Sequence, residues 1–182
     1  MKRVIIVKNN NCENIIEKCS RCNISCNQKP LVDKLRKADI MFVGISAKIK
    51  ETEDEIPLSE NTNSGKLIKM IEERLLEENN NLLCYRSNMV KCVPLDEEGK
   101  IRYPDILEIE NCIDNIVYEL SVVKPKVVVL LGRLVEKHLK KKIIEQGYNT
   151  ITIYHPSYIY VYRKKEIEKY VEESSKNILK YV

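Results

Sequence analysis

The sequence predicts an α/β fold, a three-layer α/β/α arrangement around a central four-stranded, mainly parallel sheet. Three observations predict it. Apolar runs of strand length alternate with segments of helical periodicity. "KVVVLLG", residues 126–132, is continuous and β-branched, as in a strand covered on both faces. Unusual polar residues gather just after the strands, where the ligand crevice of such sheets lies.

In chain order, residues 9–30 are polar and cysteine-rich. "ADIMFVGIS", 38–46, is an apolar run ending in Gly-x-Ser, a buried strand feeding a loop. The polar stretch 51–63 reads as a loop. The following helix has a candidate cap at Ser64 and places Leu67, Ile68, Ile71 and Leu75 on one face. "LLCYRSNMV" is the second strand, and the chain breaks at Pro94. A helix spans 103–124, with Pro104 in its first turn and a stripe of Ile109, Cys112, Ile113, Ile116 and Leu120. The third strand, 126–132, leads to a helix that Gly147 stops. The fourth strand lies in 150–158 and ends at His155-Pro156; a charged amphipathic helix follows.

Composition bounds the function. The chain has 182 residues, enough for a single domain spanning 1–182 with a sizeable core. Hydrophobic residues at 43% and charged residues at 32% indicate a soluble, folded chain. No apolar run reaches the ~18 residues of a membrane span. The N-terminal apolar stretch is too short for a secretory signal. The expectation is a cytoplasmic protein with no membrane partner, and a monomer. Thirty-one basic and twenty-seven acidic residues give +4, which permits a polyanionic partner without demanding one. The basic runs at 137–142 and 162–169 read as solvated helix faces.

Seven cysteines in an intracellular chain point to metal rather than disulfides. Cys19 and Cys22 form a C-x2-C pair, with Cys12 and Cys26 close by. Cys92 stands at a strand exit and Cys112 on the next helix. These can supply four thiolates to one iron–sulfur cluster or to zinc. Cys112, on an apolar stripe, also reads as a core thiol, and Cys84 is assigned to the core.

Taken in order, these pieces resemble the uracil-DNA glycosylase superfamily, and most closely its iron–sulfur family 4. The resemblance runs from about Cys19 to about Tyr158. It is carried by "NMVKCVPL", by the cysteine-bearing helix after it, by "KPKVVVLLG", by "SGKLIKMI" and by "YHPSY". It implies a DNA glycosylase that hydrolyses the N-glycosidic bond of uracil, or of another damaged or modified base, in base-excision repair. DNA, single- or double-stranded, is the implied partner. Cys19, Cys22, Cys92 and Cys112 would hold a four-iron four-sulfur cluster, with zinc the lesser occupant. The cluster would tie the cysteine-rich segment to the sheet. Asn88 would face the base, with Gly44 and Leu58 beside it. His155 would stabilise the departing base, and Ser46 would orient water. Ser64, Gly65, Lys66, Ser157 and Tyr158 would contact DNA.

The chain also departs from the family. The family's first motif carries an acidic residue that positions water, whereas Gly44-Ile45-Ser46-Ala47-Lys48 has none. The family's stacking phenylalanine is replaced by Leu58 after Pro57. Nineteen residues separate Cys92 from Cys112, more than the family spacing. Two further readings follow: a catalytically inactive, nucleic-acid-binding member of the same fold, and a four-cysteine zinc protein of unrelated function.

Overall fold

The computed structural model describes residues 12–182, with side chains described from Ile15 onward. Residues 9–11 of the cysteine-rich segment and the side chain of Cys12 therefore lie outside the described residues.

Four strands form the sheet: β1 Ile40–Ser46, β2 Cys84–Val90, β3 Val127–Leu131 and β4 Asn149–Ile153. Their order is β2-β1-β3-β4, and every neighbouring pair is parallel. Among the described residues, six α-helices accompany them. A short α1 (Cys12–Glu17) precedes the sheet. Helices α2 (Asn63–Glu78), α5 (Pro156–Tyr162) and α6 (Ile167–Leu179) cover one face. Helices α3 (Ile106–Val123) and α4 (Arg133–Glu145) cover the other.

Strand alternation sorts the core into these two layers. Ile40, Phe42, Val127, Val129 and Leu131 meet Leu67, Ile68, Ile71 and Leu75 of α2. Met41, Val43, Tyr85, Val128 and Leu130 meet Ile109, Ile116 and Leu120 of α3 and Leu139 of α4. Each fully buried aliphatic side chain contributes about 1.5–3 kcal/mol relative to exposure. The predicted stripes are therefore the faces that pack.

Three local expectations need correction. The cap of α2 is Thr62, not Ser64: Thr62 Oγ1 accepts from Gly65 N–H at 2.9 Å and donates to Ser59 O at 2.9 Å. One hydroxyl thus serves both the helix and the preceding loop. Pro104 lies outside α3. Asp105 is the cap, in a reciprocal capping box with Glu108. The fourth strand ends at Ile153, and His155 is already the cap of α5.

Lys91 and Glu119 lie side by side in the core with no exposed surface. Lys91 Nζ donates to Glu119 Oε2 at 2.5 Å, to Ser87 Oγ at 2.5 Å and to the Asn88 carbonyl at 2.8 Å. Glu119 also accepts from Tyr85 OH at 3.0 Å and from Ser87 Oγ at 2.7 Å. Buried charges persist only when paired and hydrogen-bonded in this way. The network bolts the end of β2 to α3 and fixes the backbone of Asn88.

Candidate functional site

A cavity of about 340 Å³ opens at the carboxyl ends of β1 and β2. That is the expected crevice of a parallel sheet. Ser46, Leu58, Ser64, Asn88 and His155 line it, with Leu31, Lys48, Thr62, Arg102 and Tyr103.

The register explains the meeting of Gly44 and Asn88, which pair across β1 and β2. A Cβ at Gly44 would lie 2.5 Å from Asn88 Oδ1 and 3.0 Å from a Leu58 methyl. Gly44 therefore makes room for both side chains. Leu58 adopts a left-handed backbone, φ 56°, which a leucine rarely takes. Its carbonyl accepts from Arg86 Nη1 at 2.8 Å, and Arg86 is paired in turn with Glu72. The strained residue is thus clamped from behind. Gly44→Ala is expected to displace the Asn88 amide while changing the melting temperature little; the NMR signals of the Asn88 side-chain amide and thermal melts check this.

Asn88 is 3% exposed. Its carbonyl is held by Lys91, but its carboxamide has no partner among the described residues. A buried amide facing a cavity with its donors and acceptor unused is a recognition group.

His155 is placed by the β3–α4 turn. Gly132, φ 92°, donates its N–H to Ile153 O at 2.9 Å, and a Cβ there would lie 3.0 Å from His155 Cβ. His155 Nδ1 accepts from Ser157 N–H at 3.3 Å and lies 2.7 Å from Ser157 Oγ. That pattern assigns the neutral ring's proton to Nε2, the nitrogen left for a ligand. Burial pushes the imidazole below its ordinary value of 6.5, so the neutral form prevails at pH 7.

No carboxylate of the described residues lines the cavity. Glu53, Asp54 and Glu55 line a separate hollow. Glu55 is the loop's anchor. It accepts from Glu51 N–H at 2.7 Å, Ser59 Oγ at 2.7 Å and Asn61 Nδ2 at 3.0 Å, and pairs with Lys48 at 2.7 Å. Burial raises its pKa, but the Glu51 N–H, Lys48, Ser59 and Asn61 outweigh that and leave it at about 2.

A model described as the uracil DNA glycosylase superfamily matches residues 32–178. The chain belongs to the uracil-DNA glycosylase superfamily. A curated relative, the type-4 uracil-DNA glycosylase of Sulfurisphaera tokodaii, is 32% identical over 132 residues, covering 72% of this chain. The chain spans about half of that relative's length, 56%. Among solved structures, wild-type SMUG2 of Pedobacter heparinus matches with a TM-score of 0.60 at 17% identity, covering 78% of this chain and 74% of that one. That second likeness bears on the fold.

Within the superfamily fold, the sequence-derived residues separate. Ser46, Leu58, Ser64, Asn88 and His155 share the cavity, and Gly44 shapes it. Gly65, Lys66, Ser157 and Tyr158 are not part of its wall. A Cβ at Gly65 would lie 1.9 Å from Ser59 O, so this glycine lets the Leu58 loop rest on α2. Lys66 is exposed. Tyr158 lines a neighbouring groove that also touches His155. Lys48, Thr62, Arg102 and Tyr103 went unread in the sequence. The wide Cys92–Cys112 spacing was one available signal for the last two.

Cys19, Cys22, Cys92 and Cys112 lie within electrostatic reach of one another. Asn115 Nδ2 donates to Cys19 Sγ at 3.8 Å and to Cys112 Sγ at 3.6 Å. Burial, then the charges of Cys112, Cys22 and Cys19, push the Cys92 thiol up to about 12. Cys22 is raised by burial and by Cys112 and Cys19. Burial would raise Cys19 too, but hydrogen bonds from Arg21 and Asn115 hold it below its ordinary value. Cys26 is exposed and Cys84 is half-buried at the start of β2. Among the described residues, no three His, Cys, Asp or Glu side chains stand close enough to grip one metal ion. No described helix is long and apolar enough to cross a membrane.

Proposed function

We propose that the cavity receives a base flipped out of DNA and that the chain hydrolyses its N-glycosidic bond. The observation that carries this is the buried, unpartnered Asn88 carboxamide sharing a cavity with His155. A pyrimidine edge such as the O4/N3 side of uracil offers one acceptor and one donor to match an amide. Flipping brings that edge into the pocket. As the C1′–N1 bond breaks, its electron pair leaves with the base, and His155 Nε2–H donates to the base oxygen that takes the charge. Lys48 and Arg102 line the same cavity, each paired with a carboxylate outside its wall, Glu55 and Glu108. Water oriented by Ser46 adds to C1′ of the sugar cation and gives up a proton, which the departed base anion takes up by way of solvent. With no carboxylate in the wall, stabilising the leaving group is the main source of rate.

Ser64, Gly65, Lys66, Ser157 and Tyr158 are assigned to phosphate and strand contacts around this mouth. A four-iron four-sulfur cluster on Cys19, Cys22, Cys92 and Cys112 is the proposed cofactor. Its support is four thiols within electrostatic reach of one another, two of which, Cys19 and Cys112, accept from the Asn115 amide. Its role is to hold the N-terminal segment on the sheet and α3. The whole chain, 1–182, acts as one unit in this reading.

The test is release of free base from uracil-containing single- and double-stranded DNA by protein purified without oxygen, with abasic sites scored by alkali cleavage. The pH profile is a second check. Protonation at Nδ1 would set two donors, Nδ1–H and Ser157 N–H, against each other and turn the ring. Release is expected to hold level from about pH 7 to 8 and to fall as pH drops below 6.5 through the lowered pKa of His155.

The carboxylate-free wall favours a second reading, in which the chain binds nucleic acid without cleaving it. That reading requires salt-sensitive DNA binding with no base released at any pH.

A further inference from the structure

Among the described residues, the cavity wall contains one carbocyclic ring, that of Tyr103. Leu58 fills the inner wall with a side chain that has no π face. Tyr103 is 73% exposed, and among the described residues its ring and hydroxyl have no partner. An exposed ring at a cavity mouth is ordinarily mobile. Here its mount is not.

Tyr103 closes a small hairpin. Leu95 and Ile101 form an antiparallel bridge, and Asp96 N–H donates to Lys100 O at 2.9 Å. Arg102 then locks the exit. Its N–H donates to Pro94 O at 3.0 Å, and its side chain donates to Leu95 O at 3.1 Å and to Tyr103 O at 3.0 Å. The guanidinium also grips both oxygens of Glu108, at 2.9 and 2.5 Å. Glu108 accepts from Asp105 N–H at 2.8 Å, so the clamp is continuous with the cap of α3. The backbone on both sides of Tyr103 is fixed while the side chain is left open over the cavity. The hairpin belongs to the segment between Cys92 and Cys112.

We propose that Tyr103 is the aromatic platform of this pocket and stacks on the flipped base held by Asn88. This rests on the base-excision reading above. Stacking needs an open ring face, a rigid mount and a partner edge fixed by hydrogen bonds, and the three coincide here. The base edge is read by Asn88 at the cavity floor, and its face is covered by a ring brought in from the 94–103 hairpin. The hairpin thereby supplies what Leu58 lacks.

The chain contains no tryptophan. Tyr103→Trp therefore makes a single-tryptophan protein whose fluorescence reports on this one site. Titration with uracil is expected to quench it, and Asn88→Ala in the same background is expected to remove the quench. In parallel, Tyr103→Leu is expected to weaken binding of uracil and of an oligonucleotide with one unpaired uracil by about ten-fold or more, and Tyr103→Phe by less than about three-fold. Leucine keeps an apolar cover but no π face, so the pair separates stacking from mere shielding. Uracil release that vanishes in His155→Ala but is unchanged in Tyr103→Leu overturns the platform and leaves the glycosylase reading standing. A wild-type chain that binds no base in either form overturns both.

Discussion

Replacing His155 by alanine is expected to lower base release by about 10²–10³-fold, with substrate binding changed far less. The argument is one of placement. His155 caps a short helix that starts at Pro156, and the glycine at 132 lets its backbone approach the β3–α4 turn. The Ser157 N–H holds Nδ1 as an acceptor and so leaves Nε2–H as a donor. A donor of that kind acts only when charge arrives on the departing base. Its loss is therefore expected in the chemical step rather than in affinity. Single-turnover rates at saturating enzyme check this, and an equal loss in Kd alone would assign His155 to binding. In a wall without a carboxylate, few other groups can compensate.

Lys91→Met is expected to destabilise the fold by about 3–5 kcal/mol, because it leaves Glu119 buried without its cation. For a chain of this size that is a fall in Tm of roughly 6–20 °C. Tyr85 and Ser87 would still donate to Glu119, but neither neutralises it. Lys126→Met is the control. Its 3.0 Å pair with Asp39 lies at the surface, where such pairs are worth about 1 kcal/mol or less. Thermal melts of the two variants side by side give the comparison. Because Lys91 also holds the Asn88 carbonyl, the first variant is expected to lose base affinity even where it remains folded.

The sheet was legible because its strands are continuous β-branched runs between helices whose apolar stripes keep their period. Helix ends were less so. Thr62, Asn63 and Ser64 are all competent caps, and the choice of Thr62 depends on a contact with Ser59 O that only the folded loop supplies. Asp105 and Glu108 carry the spacing of a capping box, a local signal that Pro104 overshadowed. In the site, Asn88 and His155 stood out because an amide and a histidine at strand exits have little structural reason to be there. Lys91 was conspicuous for the same reason, yet its role proved architectural. A lysine with no exposed surface runs against composition and is explained only by Glu119 from another element. Arg102 and Tyr103 reach the cavity through a local hairpin, Leu95 to Ile101, whose turn signal at Asp96 and Gly99 went unread. The loop acids Glu53, Asp54 and Glu55 line a separate hollow rather than the cavity, a placement that only the folded loop fixes.

The central claim is that Asn88 and His155 form a base-excising pocket without a carboxylate. Its most direct test is single-turnover release of labelled uracil from DNA by the wild-type chain, Asn88→Ala and His155→Ala, each shown by thermal melt to be folded. The account predicts release by the wild type, weaker release with Asn88→Ala, and release lowered by about 10²–10³-fold with His155→Ala. Wild-type release that persists unchanged in His155→Ala would contradict it.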